Sequence, residues 1–197
     1  VRLKSSKQDS KSKILLYSYG AYNHSVSPSF SASRFCLIDR GITFAIAHVR
    51  GGGDLGDIWH EEGKKKLKKN TFLDYIACAN HLVEQRYTYK GGICFYGGSA
   101  GGLTGGAVAN MAPELFFAML LLVPFVDTMT TMLNDKLPLT PAEWELWGNP
   151  IKDKEYFKYI LSYSFCLEYF SFRIVDLSLV YCCSCLLVLL NLYGDLG

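Results

Sequence analysis

Residues 92–102 read GICFYGGSAGG, an apolar run that leads directly into a cluster of glycines around one serine. The cluster contains the pattern Gly-x-Ser-x-Gly, with Ser99 between Gly97 and Gly101. A serine between a buried strand and a helix sits on a sharp, strained turn, and glycines two residues to either side remove side chains that would clash. The pattern therefore predicts a nucleophile elbow, with the Ser99 hydroxyl exposed at the carboxyl edge of a sheet.

Two other interpretations of glycine-rich segments stay open at this point. The turn around Ser99 also suits a flexible glycine-rich turn or a phosphate-binding loop. Separately, segment 51–56 (GGGDLG) satisfies the Gly-x-Gly-x-x-Gly pattern of a dinucleotide site, and Asp74 lies near the spacing of a ribose-binding acid. Asp54 and Asp57 oppose that interpretation, because carboxylates at a helix N-terminus repel a pyrophosphate.

Buried-strand patterns recur on both sides of this serine and alternate with helical ones. Thr71 and Asp74 form the capping-box pattern of a helix start. Strand, crossover helix and strand repeat, which implies the α/β class and a mostly parallel sheet flanked by helices. With an elbow after a central strand, the sequence predicts an α/β-hydrolase fold. Its predicted strands are residues 14–19, 42–48, 92–96 and 118–123.

The composition favours an ordered domain and excludes several functional classes. The 197 residues are 50% hydrophobic, and 20 Lys and Arg against 18 Asp and Glu give a net charge of +2. This balance lacks the positive field that a nucleic-acid partner needs, so no nucleic acid is expected. No metal motif such as His-Glu-x-x-His is present, and we expect neither a metal nor another cofactor. The lysine-rich segment 64–69 is interpreted as the solvated start of a helix.

The chain divides by composition into three stretches. Residues 1–13 are polar and are interpreted as a linker or fragment start, and because the chain begins with Val1 we expect a piece of a longer protein. Residues 14–164 form the predicted α/β-hydrolase domain, incomplete at its C-terminal end, and residues 165–197 form an apolar tail. The seven cysteines are expected to be reduced, and a cytoplasmic location is expected.

Six segments of the central stretch resemble the catalytic domain of the prolyl oligopeptidase family of serine peptidases, and within it the oligopeptidase B branch. The resemblance runs in the family's order and ends at Ser164. It implies a serine-type endopeptidase that hydrolyses short peptides after Lys or Arg. The segments are LLYSYGAY (15–22), DRGITFAIAHVRGGG (39–53), KKKLKKNTFLDYIACANHLVEQ (64–85), GGSAGG (97–102), VPFVDTMTTML (123–133) and PLTPAEWELWGNP (138–150).

The resemblance also implies roles for individual residues. Ser99 matches the family's nucleophile, and the Tyr19 hydroxyl with the Ala100 backbone N–H matches its two oxyanion donors. Glu143 and Glu145 match the carboxylates that bind the basic side chain before the scissile bond, and paired carboxylates suit a guanidinium or an ammonium. From the residues alone, an aromatic packed at a strand end also explains Tyr19, and an acidic surface turn is favoured over a binding site for the two glutamates.

The general base is the missing part. In this fold the catalytic acid and histidine follow the nucleophile, whereas all four histidines precede Ser99. We therefore expect these residues alone to be inactive, because nothing deprotonates the serine. Two alternatives stay open: a non-catalytic truncated product or interaction protein defined by its tail, and an esterase that uses Asp127 with an atypical base.

The apolar tail raises two further expectations. Segment 177–194 carries no formal charge and reaches the minimum length of a membrane span, but it lacks flanking Lys or Arg anchors, so a membrane partner is kept only as an alternative. A sheet without its last strands would leave residues 118–123 at an open edge.

Overall fold

One six-stranded sheet organises the molecule, in the order β2-β1-β3-β4-β6-β5. A computed structural model describes residues 1–2, 10–164, 172–176 and 186–191. Strands β1 to β4 pair in parallel, and β5 and β6 add an antiparallel pair beyond β4. The predicted α/β fold with a mostly parallel sheet is therefore confirmed. The strands are β1 (Ile14–Tyr17), β2 (Thr43–Ile46), β3 (Ile93–Gly98), β4 (Phe116–Leu122), β5 (Phe172–Asp176) and β6 (Leu186–Asn191).

Helices follow the parallel strands, as crossover connections require. The two longest, α3 and α4, pack against each other, and α4 also packs against β3. Short 3₁₀ turns at Ala32–Arg34, Lys65–Leu67 and Pro113–Leu115 join the regular elements. The helices are α1 (Phe35–Ile38), α2 (Asp57–Glu61), α3 (Lys69–Glu84), α4 (Ala100–Met111), α5 (Thr128–Met132), α6 (Thr140–Trp147) and α7 (Lys154–Leu161).

The core lies mainly on the face of the sheet that α3 and α4 cover. Alternate strand residues point to this face, so Ile14 and Leu16 of β1 join the main cluster, whereas Leu15 joins a smaller one on the opposite face. Phe72 and Tyr75 of α3 are fully buried in the main cluster. The Tyr75 hydroxyl also donates to the Leu16 carbonyl at 3.0 Å, which ties α3 to β1.

The predicted capping box is wrong. Helix α3 begins at Lys69, so Thr71 lies inside its first turn and does not cap it. Both residues of the expected box contact the loop after β2 instead: the Thr71 hydroxyl donates to the Arg50 carbonyl at 2.6 Å, and Asp74 accepts from the Arg50 side chain. A tertiary contact with this loop thus replaces the local contact that the sequence pattern indicated.

The expected open edge at β4 is also wrong. β4 pairs with β3 on one side and with β6 on the other. The apolar tail supplies that second neighbour, because β6 lies within it. Only 186–191 of segment 177–194 is described, as β6, and no helix within the described ranges is long and apolar enough to cross a bilayer.

Candidate active site

Ser99 lies between β3 and α4, where the chain turns sharply from strand to helix. Its backbone has φ +51° and ψ −122°, and a positive φ is uncommon for a residue with a side chain. The Ser99 N–H donates to the Leu122 carbonyl at 2.9 Å, and the Phe125 N–H donates to the Ser99 carbonyl at 2.9 Å. The end of β4 therefore fixes this strained turn and leaves Ser99 exposed.

The glycines beside Ser99 let α4 approach the ends of two strands. A Cβ atom on Gly101 would lie 2.9 Å from the Ser18 carbonyl oxygen, just after β1. A Cβ atom on Gly102 would overlap Pro124, just after β4. Close packing of backbone against backbone explains these glycines, and it argues against the flexible turn that the sequence left open.

Tyr19 lies at the same sheet edge, because β1 and β3 are parallel neighbours and Tyr19 follows β1 by two residues. Its hydroxyl lies within electrostatic range of the Ser99 side chain. Partial burial raises the pKa of Tyr19, the neighbouring Ser99 side chain lowers it by less, and the nearby charge of Glu143 raises it further. The phenol is therefore neutral at physiological pH and keeps its O–H donor.

A second donor lies in the peptide that follows the serine. Ala100 is buried and is the first residue of α4, so its N–H belongs to the first turn, where amides have no intrahelical acceptor. The structure thus brings Ser99, the Tyr19 hydroxyl and the Ala100 peptide together. Two donors beside a serine hydroxyl suit the stabilisation of a negatively charged oxygen.

Glu143 lies on α6 and has both carboxylate oxygens occupied. Oε1 accepts from the Tyr22 hydroxyl at 2.9 Å, and Oε2 accepts from the Trp147 indole N–H at 2.7 Å. Desolvation and the neighbouring carboxylate raise the pKa of Tyr22, so both donors are neutral. The carboxylate is therefore oriented while its negative charge stays uncompensated by these partners, and its field reaches Tyr19.

Glu145 points elsewhere. Residues two apart on a helix face in very different directions, and Glu145 accepts a hydrogen bond from Lys65 at 2.9 Å. Its side chain is 84% exposed, and the Lys65 hydrogen bond lowers the pKa of its carboxyl. The structure thus places Glu143 near Tyr19 but does not bring the two glutamates together on one wall.

The four histidines lie before the serine in the sequence, and in the described residues none hydrogen-bonds to the Ser99 hydroxyl. The His24 ring lies edge-on to the Tyr19 ring, with 5.2 Å between centroids. His48 pairs with Asp54 at 2.7 Å, and His60 Nδ1 lies 2.9 Å from the Gly51 carbonyl. Asp127 caps α5 by accepting from the Thr130 N–H at 3.0 Å, so it is already engaged.

The second glycine motif forms a packed loop. A Cβ atom on Gly51 would overlap the Gly20 carbonyl, and Arg50 holds Asp74 through its backbone N–H and two side-chain nitrogens. The acid that the sequence offered to a ribose is therefore engaged by an arginine. Among the described residues, no group of three or more His, Cys, Asp or Glu side chains is arranged to hold a metal ion.

Sequence reasoning missed Lys68, which the structure buries beside the site. The lysine run was expected to be the solvated start of a helix, yet Lys68 is only 1% exposed and its Nζ donates to the Gly20 carbonyl at 2.6 Å. Nothing in a run of five lysines marks one of them as buried. Trp147 was missed as well, although its spacing of four residues from Glu143 on a predicted helix was a usable signal.

A strained serine between strand and helix, at the edge of a mostly parallel sheet, defines the α/β-hydrolase class of fold. Residues 28–179 match a family model whose description is "Prolyl oligopeptidase family". The chain belongs to the prolyl oligopeptidase family, as the sequence resemblance predicted.

Named relatives are similar over the same part of the chain. The chain is 48% identical over 157 residues to "Dipeptidyl aminopeptidase BI" of Pseudoxanthomonas mexicana, covering 80% of this chain and 22% of the relative. It is 50% identical over 151 residues to "Protease 2" of Moraxella lacunata, covering 77% of this chain and 22% of the relative. The chain thus spans 22% of the length of these relatives.

Solved structures agree with this assignment. Oligopeptidase B from Leishmania major superposes with a TM-score of 0.79 at 48% identity, covering 83% of this chain and 23% of that chain. Oligopeptidase B from Trypanosoma brucei with covalently bound antipain superposes with a TM-score of 0.80 at 46% identity, with the same two coverages, 83% and 23%. The predicted likeness to the oligopeptidase B branch is confirmed.

Proposed function

We propose that this chain carries the nucleophile and oxyanion donors of a serine endopeptidase that hydrolyses short peptides after Lys or Arg. The observation that carries the proposal is Ser99 on a strained turn between β3 and α4, with the Tyr19 side chain close enough to influence it electrostatically. Family membership supports peptide substrates over those of other α/β-hydrolases. The covalently bound antipain of the Trypanosoma brucei neighbour is consistent with covalent chemistry at such a site.

The proposed reaction is nucleophilic acyl transfer. Ser99 Oγ attacks the scissile carbonyl carbon, and the carbonyl oxygen gains negative charge as the tetrahedral intermediate forms. The Tyr19 hydroxyl and the Ala100 N–H donate to that oxygen, and one such donor contributes about 3 kcal/mol to the stability of the transition state. Because Tyr19 keeps its proton at physiological pH, it is ready to donate before the substrate arrives.

Glu143 is proposed to bind the basic side chain that precedes the scissile bond. Its two hydrogen bonds come from neutral groups, so a Lys or Arg side chain of the substrate would meet a full carboxylate charge. Glu145 is proposed as the second carboxylate of this pocket. It must first leave Lys65, so its contribution is expected to be the smaller one.

These residues alone are proposed not to turn over peptides. All four histidines precede Ser99, and within the described residues none hydrogen-bonds to its hydroxyl. An unassisted serine hydroxyl is a weak nucleophile at neutral pH. This observation also keeps a second candidate in view, a non-catalytic product that retains the fold and the oxyanion donors.

A chimera with a relative tests the proposal, because the relative is expected to supply the general base that these residues lack. Residues 14–164 of this chain would replace the aligned segment of the Moraxella lacunata relative, which is 50% identical. We expect the chimera to hydrolyse short peptides after Lys or Arg, the Ser99→Ala chimera to be inactive, and the 197-residue chain to show no turnover. A folded chimera without Ser99-dependent hydrolysis would favour the non-catalytic candidate.

A further inference from the structure

Lys68 is a buried amine with one carbonyl partner. It is the residue immediately before α3, and its Nζ donates to the Gly20 carbonyl oxygen at 2.6 Å. Burying an ammonium is unfavourable unless hydrogen bonds compensate for the lost water. Lys66, in the same run, has a side chain that is 51% exposed. The burial of Lys68 is therefore specific to its position and calls for a physical reason.

One reason lies in the turn directly after Tyr19. Gly20 adopts φ +72°, and a Cβ atom there would lie 2.6 Å from Thr71 Cγ2. The first turn of α3 thus packs against this glycine, while Lys68 binds its carbonyl. Since Tyr19 and Gly20 share a peptide bond, Lys68 restrains the chain that sets the direction of the Tyr19 hydroxyl toward Ser99.

The other reason is an aromatic ring beside the amine. Lys68 Nζ lies 5.2 Å from the centre of the Trp147 ring, within the range of a cation–π interaction. Trp147 is the residue whose indole N–H orients Glu143 at 2.7 Å. One buried amine therefore contacts both the turn after Tyr19 and the ring that holds Glu143.

We propose that Lys68 is a positioning residue that fixes the Tyr19–Gly20 turn and the Trp147–Glu143 pair relative to each other. The inference rests on the proposed function for the roles of Tyr19 and Glu143. Lys68 would hold the oxyanion site and the site for the basic side chain at a fixed distance and orientation. A peptide bound at one site would then be aligned at the other.

This coupling should depend on pH. Burial lowers the pKa of Lys68 to about 7, so its charge changes near neutrality. Tyr22, His60 and Lys64 line the small cavity that Lys68 and Trp147 also line. Glu143 accepts a hydrogen bond from Trp147 and is therefore the nearby carboxylate. Burial disfavours the charged amine, so an opening that exposes Lys68 to water takes up a proton above the folded-state pKa. Opening of the two segments should therefore become less favourable, in both together, as pH rises above about 7.

Hydrogen exchange of the 197-residue chain tests the proposal without any catalysis. In Lys68→Met, amides in residues 17–24 and 140–147 should both exchange about tenfold faster, the effect of one lost hydrogen bond, while residues 93–98 of β3 stay unchanged. Lys66→Met is the matched control and should leave both segments as they are. Unchanged exchange in either segment of a folded Lys68→Met would overturn the proposal.

The wild-type chain provides a second test that needs no variant. After correction for intrinsic exchange, both segments should become better protected as pH rises above about 7, with one shared onset. Separate onsets, or no change in one segment, would refute the coupling. Because neither test uses Ser99 chemistry, an inactive chimera with coupled segments would contradict only the proposed function, and an active chimera with uncoupled segments only this inference.

Discussion

At the scale of single residues, the candidate site is assembled by contacts between residues that are far apart in the sequence. Tyr19 meets Ser99, Tyr22 meets Glu143, and Lys68 meets Gly20. Each of these contacts joins a loop at the carboxyl edge of the sheet to a helix or to another loop. Individual substitutions can therefore separate the roles that we propose.

Removing the Tyr19 hydroxyl should slow the chemical step and leave substrate binding largely intact. In the chimera, we expect Tyr19→Phe to lower kcat by about 100-fold with little change in KM, because the lost donor acts mainly on the transition state. Tyr17→Phe is the matched control, since Tyr17 packs against Tyr96 at 5.4 Å between ring centroids. A Tyr19→Phe enzyme within about twofold of wild type would remove Tyr19 from the oxyanion site.

Glu143 and Glu145 should differ in their effect on specificity. Glu143→Gln keeps the shape and hydrogen-bonding capacity of the side chain but removes the charge, so kcat/KM for Lys and Arg substrates should fall about 100-fold. Glu145→Gln should change it by less than about threefold, because that side chain is exposed and paired with Lys65. Steady-state kinetics with basic and neutral substrates would show this, and a larger effect of Glu145→Gln would contradict the assignment.

Lys68 should make the stability of the chain depend on pH. Its pKa is lowered from 10.5 to about 7 by burial, so between these values the unfolded chain holds a proton that the folded chain has released. The free energy of unfolding should then rise with pH, by about 2 kcal/mol more in wild type than in Lys68→Met between about pH 7 and about pH 9. Urea unfolding measures this difference. Equal pH dependence in both proteins would show that Lys68 titrates normally.

At the scale of elements, the position of α4 depends on glycines that face neighbouring backbone. Helix propensity alone predicts that Gly102→Ala stabilises α4 by about 1 kcal/mol. The overlap of the new Cβ with Pro124 predicts the opposite, a loss of about 2 kcal/mol in the free energy of unfolding. Asn110→Ala, exposed on the same helix, is the control and should not destabilise. A stabilised Gly102→Ala variant would show that Pro124, just after β4, moves to make room for the new Cβ atom.

The sequence predicted the elements whose signals are local. Strands β1 to β4 are continuous apolar runs, and the Gly-x-Ser-x-Gly pattern marked the turn into α4. The start of α3 was misplaced because Thr71 and Asp74 bind Arg50, which lies in a different loop. The buried amine of Lys68 could not be foreseen for the same reason: its partners, Gly20 and Trp147, are distant in the sequence.

At the scale of the whole molecule, most of the proposed chemistry lies in a chain that spans 22% of the length of its named relatives. This chain contains the elbow and the proposed oxyanion donors. The net charge of the chain is only +2, so the protein as a whole does not attract a basic side chain. Selection of such a side chain would therefore depend on a local carboxylate in the site. We therefore expect a relative that receives these site residues in a chimera to hydrolyse peptides through them.

Covalent trapping of the nucleophile tests the central claim most directly. The chimera would be treated with a fluorophosphonate, which reacts with activated serines, and the modified peptide would be identified by mass spectrometry. We predict that the label lies on Ser99 and that Ser99→Ala abolishes labelling. A label on another residue, or equal labelling of the Ser99→Ala chimera, would contradict the assignment of Ser99 as the nucleophile.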